Sequence, residues 1–225
     1  MPPDAGKTAD GPEALGPVLA VSRETVERLS IYVALLRKWQ PAENLVAPGT
    51  LGTIWRRHIA DSAQLVPLFP DARTWVDMGT GAGFPGLVVA CILAERPGVT
   101  VHLVESNVRK CAFLRRAIAE TGAPATVHHG RIEDILVGLS GARVDVVTAR
   151  ALASLTNLFG LTAPLLGPGT TGAFHKGRDF QREIDEATQS WAFDLVIHKS
   201  RIEDGGVILD IRRLAAKSPA AGQGP

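Results

Sequence analysis

The chain is poor in several residues whose abundance would name a function. It has two cysteines, two methionines and a single tyrosine in 225 residues. Cys91 and Cys111 both lie in apolar stretches of helical character, so a disulfide framework is not expected and the thiols read as buried and reduced. No apolar run approaches the roughly 20 residues needed to cross a bilayer, and the N-terminus has no apolar signal core; a cytoplasmic protein without membrane contact is expected. Charge of one sign is missing too. With 24 Lys and Arg against 23 Asp and Glu, the net charge of +1 excludes a strongly basic nucleic-acid module, and any such contact must come from local clusters. With one tyrosine and the other aromatics set in apolar runs, no platform for stacking single strands is evident.

What is present describes a globular domain, with 45% hydrophobic and 21% charged residues. Residues 1–21, rich in Pro, Gly, Ala and charge, show no periodicity and read as a disordered tail, as do residues 215–225. Residues 22–70 read as a small helical element. Its first helix starts at a capping box on Ser22, carries Val26, Leu29, Val33 and Leu36 at helical spacing, and is broken by Pro41. A second helix follows over 53–69, in which Arg57 and His58 have i,i+4 partners in Asp61 and Ser62. Residues 71–214 alternate strands (TWVDM, TVHLVE, ATVHHG, VDVVTA, TTGAFHK) with helices, the pattern of a Rossmann-like doubly wound α/β sheet. Two last strands have no helix between them and must pair as a terminal antiparallel hairpin.

The stretch DMGTGAGFPG joins the first strand to the next helix, at the edge where such sheets bind ligands. Gly79, Gly81 and Gly83 let backbone approach a ligand closely. Read through Gly81, Gly83 and Gly86, the same letters also match a dinucleotide fingerprint. Asp77 argues against a pyrophosphate and for S-adenosyl-L-methionine, which is cationic at its ammonium and sulfonium; the alternative is that Asp77 caps the turn. Glu105 ends the second strand, where an acid accepts both ribose hydroxyls of either cofactor. Ile132 and Glu133 follow the third strand, placed to pack on an adenine and to accept from its amino group, or to form an ordinary first helical turn. Arg150 ends the fourth strand, suited to a base or a phosphate, or else to an ion pair with an acid such as Asp77. His175 and Lys176 end the fifth. Arg56, Arg57 and His58 sit in the front element, while Arg109, Lys110, Arg115 and Arg116 spread around one helix as a solvated face.

RHIADS, DMGTGAGFPGLVVA, GRIED, TARALASL and the KG of FHKGRD together resemble the bacterial small-subunit ribosomal RNA guanine-N7 methyltransferases, also called glucose-inhibited division protein B, from about Tyr32 to Arg212. The resemblance implies a class I methyltransferase fold that takes S-adenosyl-L-methionine and methylates N7 of a guanine in 16S rRNA or in the small ribosomal subunit; a monomer is expected. It implies cofactor contacts at Gly79, Phe84, Ile132 and Glu133, with Arg150 beside cofactor and substrate; from its own place at a strand end on the ligand edge, Lys176 is expected to help position the RNA, together with Arg56, Arg57 and His58. The chain departs from the family pattern at Trp39-Gln40 and Asn44-Leu45-Val46, which bears on contacts made by that loop. A methyltransferase for a small molecule or a protein, and an NAD-dependent oxidoreductase, remain the alternatives; the latter lacks a Tyr-x-x-x-Lys pair, since Tyr32 lies in the front helix. No Cys nucleophile, Asn-Pro-Pro-Tyr motif or close His–carboxylate pair announces a dedicated base, and guanine N7 needs none.

Overall fold

The structure, a computed structural model, describes residues 10–217. Seven strands form one sheet in the order β3-β2-β1-β4-β5-β7-β6. β1 (Thr74–Met78), β2 (Thr100–Glu105), β3 (Ala125–His129), β4 (Val146–Arg150) and β5 (Thr171–Lys176) are parallel, which sets all their carboxyl ends along one edge. β6 (Trp191–Lys199) and β7 (Val207–Ala216) form the expected hairpin, with β7 inserted antiparallel beside β5. Strand order therefore reverses between β1 and β4, the place where open α/β sheets leave a crevice.

Each face of the sheet is covered by helices. On one side α1 (Arg23–Glu43), α4 (Gly86–Ile92) and α5 (Val108–Thr121) bury Tyr32, Leu36, Leu87 and Phe113. On the other, α6 (Ile132–Leu139), α7 (Leu155–Thr162) and α8 (Phe180–Ala187) bury Leu136, Phe159 and Ile184. Cys91 and Cys111 are free and buried, and burial pushes the Cys91 thiol up to about 12, so neither is a ready nucleophile.

The N-terminal region differs from expectation in three respects. Residues 10–21 are packed, not a tail. Pro12–Leu15 form a 3-10 turn, Leu15 and Val18 are buried, and the Asp10 carboxylate accepts from the backbone N–H of Trp55 (2.9 Å) and Arg56 (3.0 Å). Residues 1–9 and 218–225, where the rest of the two tails was expected, lie outside the described residues; Ala215 and Ala216 belong to β7. Second, Pro41 does not end α1, which runs to Glu43 and stops at Asn44 in the left-handed conformation (φ 45°). A proline in the last turn removes a single backbone bond, which the packing of Leu35, Leu36 and Gln40 outweighs.

Third, the second front helix is a chain of short pieces: a 3-10 stretch Pro48–Thr53, a π turn Trp55–Ala60, then α2 (Asp61–Ala63) and α3 (Leu65–Leu68). The i→i+5 bonding of a π turn rotates an i,i+4 pair apart. Arg57 accordingly pairs with Glu203 (3.1 Å) in the β6–β7 turn and not with Asp61. The Gln64 side-chain oxygen accepts from the backbone N–H of Arg201 (2.6 Å), a second tie to the same turn.

Candidate active site

The glycine turn follows β1, and its backbone explains its composition. Gly79 has φ 60°, and a Cβ there would lie 2.6 Å from the Leu152 side chain. Gly86 has ordinary φ but no room, since a Cβ would fall 2.6 Å from the Cβ of Asp77 and 2.5 Å from Leu103. Asp77 itself is fully buried beneath the turn. Its carboxylate accepts from the N–H of Gly86 (2.8 Å) and the hydroxyl of Thr148 (2.8 Å), and burial raises its pKa to about 6. The expectation of a carboxylate at the mouth is thus corrected. Asp77 holds the turn from inside, because the close approach that Gly86 permits lets the side chain fold under it.

Glu105 lies flush with the surface, 7% exposed, at the end of β2. One carboxylate oxygen accepts from the N–H of Gly81 (2.9 Å) and the other from Asn107 (2.8 Å), and each keeps a further lone pair. Beside it the third strand end is tied in by a bond from the N–H of Gly130 to the Glu105 carbonyl (3.1 Å). Ile132, half-buried, and Glu133, exposed and 3.7 Å from Arg131, form the first turn of α6. The three strand ends that the sequence singled out are therefore neighbours.

Arg150 reaches the opposite way, toward the front element. Its guanidinium donates to the Asp61 carboxylate (3.1 Å), the Arg57 carbonyl (3.1 Å) and Nδ1 of His58 (2.7 Å), and lies 5.1 Å from the centre of the Phe84 ring. The partner acid is Asp61, which sequence spacing assigned to Arg57, rather than Asp77. His58 stacks on Phe84 with centroids 4.8 Å apart. Burial, followed by the charge of Arg150, lowers the His58 pKa to about 4, so the ring is neutral at physiological pH. Phe84 thus carries the hydrogen-bonded imidazole and guanidinium together against its ring, with the ring of Tyr32 5.5 Å away.

Lys176 and His175 are built into the scaffold. The Lys176 ammonium donates to Glu183 (2.7 Å) and to the Ala153 carbonyl (2.7 Å), and its side chain is 7% exposed. Glu183 also accepts from the N–H of Leu155 (2.7 Å), so the pair locks α8 to the start of α7. Two of its three N–H groups are thus spent inside the protein, so the substrate-positioning role expected of Lys176 is replaced by a structural one, although the residue lines the cavity. The Nε2 of His175 donates to the Asp61 carbonyl (3.2 Å), fixing the segment that carries Asp61 against β5. The family departures at positions 40 and 46 touch each other: the Gln40 amide donates to the Val46 carbonyl (2.7 Å) and accepts from its N–H (3.0 Å).

A half-open cavity of about 910 Å³ lies beside the turn and Arg150, lined among others by Gly79, Phe84, Arg150, Val46, Thr50 and Lys110; Glu105, Ile132 and Glu133 lie outside its lining. That volume lies in the upper part of the range for small-molecule sites. Among the described residues no cluster of three or more His, Cys, Asp or Glu could hold a metal, and no helix is long and apolar enough to cross a membrane.

A seven-strand sheet in this order, with a glycine turn after β1 and an acid at the end of β2, defines a class I methyltransferase fold. Solved structures share it: a variant of MtNAS in complex with S-adenosylmethionine superposes with a TM-score of 0.55 at 16% identity over 82% of this chain and 71% of that one. The Bacillus cereus O-methyltransferase in complex with SAH gives 0.54 at 16% identity over 87% and 93%. At the level of sequence, the model of the GidB family, rRNA small subunit methyltransferase G, matches residues 25–206. The ribosomal RNA small subunit methyltransferase G of Parvibaculum lavamentivorans is 53% identical over 203 residues, 90% of this chain and 89% of the relative. That of Brucella anthropi is 53% identical over 200 residues, 89% and 93%. The chain belongs to the rRNA small subunit methyltransferase G family, and the oxidoreductase and small-molecule readings are set aside.

Proposed function

We propose that this methyltransferase carries the methyl group of S-adenosyl-L-methionine to N7 of a guanine in the 16S rRNA of the small subunit. The observation that supports it most is the joining of two half-sites at one sheet edge: the turn Gly79–Gly83 with Glu105, and across Phe84 the fixed guanidinium of Arg150. The residues present fit the cofactor. Glu105 keeps lone pairs for the two ribose hydroxyls, Ile132 offers an apolar face to the adenine, Glu133 an acceptor for its amino group, and the turn's backbone and Phe84 wall the methionine end. Asp77 acts on that end only through the turn it holds.

When bound, S-adenosylmethionine supplies an electrophilic methyl group on a sulfonium. The chain's own contribution is placement. Guanine N7 carries an in-plane lone pair that is free at neutral pH, so no residue has to remove a proton before attack. Holding acceptor and donor in line can lower the barrier by ~7 to 11 kcal/mol. Arg150 is suited to donate to O6, the acceptor next to N7, which turns the lone pair toward the methyl group; beside the positive charge then gained by the base, its role is to orient the acceptor and not to stabilise that charge.

The RNA approaches the open rim. Arg56, exposed on the π turn, and Lys110, on the cavity wall, carry no ion pair among the described residues and serve as phosphate contacts. Few large apolar side chains are exposed among the described residues: Val108 on α5, Val137 on α6, and the neighbouring Val196 and Ile197 on β6; the working unit on this reading is a monomer. The test is incubation with labelled S-adenosylmethionine and small-subunit rRNA or whole subunits, followed by borohydride and aniline cleavage, which cuts at 7-methylguanosine. Label incorporated without a cleavage site would refute N7 as the acceptor.

A further inference from the structure

Arg150 is held by a directional chain of hydrogen bonds that begins in the loop on the cavity rim. The hydroxyl of Thr50 has one proton, and it is donated to the Ala47 carbonyl (2.8 Å). The contact between Thr50 Oγ1 and His58 Nε2 (2.9 Å) must therefore be donated by the imidazole. That places the ring proton on Nε2 and leaves Nδ1 as a lone pair, the state required to accept from Arg150 at 2.7 Å. The partners thus fix the tautomer independently of any titration. A protonated ring would present an N–H to a guanidinium, and the contact would be repulsive.

Arg150 has five N–H groups. Two on one terminal nitrogen go to Asp61 and the Arg57 carbonyl, and one on the other goes to His58. Nε–H and the last terminal N–H have no partner among the described residues, while the residue lines the cavity. A guanidinium is planar and rigid, so fixing three of its hydrogens fixes the direction of the other two. The other groups facing His58 are Asp61, Arg57 and the ring of Phe84, and none of them binds its ring nitrogens.

We propose that Thr50 and His58 are positioning residues for methyl transfer. They relay the conformation of the 3-10 stretch that carries Thr50 to the Arg150 guanidinium and aim its two remaining N–H groups at the base, an inference that rests on the reading of this cavity as the methyl-transfer site. The loop that Gln40 clasps at Val46 is then coupled to the chemistry without touching the reacting atoms. Closure of RNA over the rim and alignment of the base become one event.

The experiment is single-turnover methyl transfer to small-subunit rRNA at saturating S-adenosylmethionine. Thr50→Val, Thr50→Ser, His58→Gln and Arg150→Ala are compared with the double variant Thr50→Val/Arg150→Ala, with cofactor affinity measured in parallel. Thr50→Val is nearly isosteric and removes only the hydroxyl; it should slow transfer about tenfold to a hundredfold with cofactor affinity unchanged, as a small misplacement of a positioned group does. Thr50→Ser should restore the rate to within roughly threefold. In the Arg150→Ala background Thr50→Val should have no further effect, because the relay then has nothing to aim. Equal losses in both backgrounds, or a Thr50→Ser protein as slow as Thr50→Val, would overturn the relay. His58→Gln keeps an acceptor for Arg150 and should be faster than Arg150→Ala; equality of the two would also overturn it. A wild-type chain that transfers no methyl group to rRNA would instead refute the functional reading, and the relay with it.

Discussion

Gln40 grips the backbone of Val46 with both ends of its amide, donating to the carbonyl and accepting from the N–H. Both residues are buried, so removing the side chain strands a donor and an acceptor, each worth roughly 1 to 3 kcal/mol when left unpaired. Gln40→Ala should release the 44–50 loop, seen as faster amide exchange at Val46, and lower the thermal midpoint. Gln40→Asn, one methylene shorter, should lose at least one of the two bonds. Unchanged exchange at Val46 in either variant would show that the loop is held by other contacts.

Glu105→Ala is expected to raise the dissociation constant for S-adenosylmethionine roughly ten- to a hundredfold, the loss of charged hydrogen bonds worth ~1.5 to 3 kcal/mol. Because Glu105 also accepts from Gly81 and Asn107, the variant should be less stable even without cofactor. Calorimetry on the folded variant separates the two effects, and an unaltered affinity would remove Glu105 from the ribose.

Asp77 and His58 should pull stability in opposite directions over one pH window. The Asp77 carboxyl, raised to about 6, binds its proton more tightly when folded, so its contribution is largest near pH 4 and declines as pH rises to 6. The shift corresponds to about 3 kcal/mol. His58, lowered to about 4, binds its proton more tightly when unfolded, so its contribution grows as pH rises from 4 to its ordinary value of 6.5. Urea denaturation from pH 4.5 to 7.5 should therefore show Asp77→Asn gaining on the wild type with rising pH and His58→Gln losing ground. Parallel profiles for all three proteins would contradict both assignments.

Lys176→Ala should destabilise the protein, since it leaves Glu183 without its cation, yet leave the salt dependence of RNA binding unaltered. Arg56→Ala should do the reverse, lowering the logarithmic salt slope by about one unit with little loss of stability. Filter binding across salt concentrations decides this, and a Lys176→Ala slope lower by one unit would return Lys176 to the RNA surface.

Single-turnover transfer should be nearly flat between about pH 6.5 and 8.5, where a tuned general base would titrate and neither His58 nor Asp77 changes charge to any large extent. A log-linear rise across that range would favour an acceptor that must first be deprotonated.

The sheet was legible because strands buried on both faces leave dense apolar runs: TWVDM and TVHLVE coincide residue for residue with β1 and β2. The positions of Glu105 and Arg150 at strand ends followed from the same runs. The internal partners of the charged residues were not legible. Asp77 turns inward because Gly86 makes room, and Arg150 finds Asp61 across 89 residues, a pairing that no local spacing encodes. The front element misled for a backbone reason, because a π turn keeps the letters of a helix while changing which of its residues face each other. Thr50 carried no signal, being one polar residue in a loop of Pro, Gly and Leu.

The ties of Arg57 to Glu203 and of Gln64 to Arg201 also set a timetable. At about 5 to 20 residues per second of synthesis, the ribosome needs roughly seven to thirty seconds between making Asp61 and making the turn that latches its segment. Through that interval a nascent chain can pair β1 to β4 and form the glycine turn, while the front segment still lacks its clamp. The front segment is thus clamped only after the β6–β7 hairpin has been made and folds back on it.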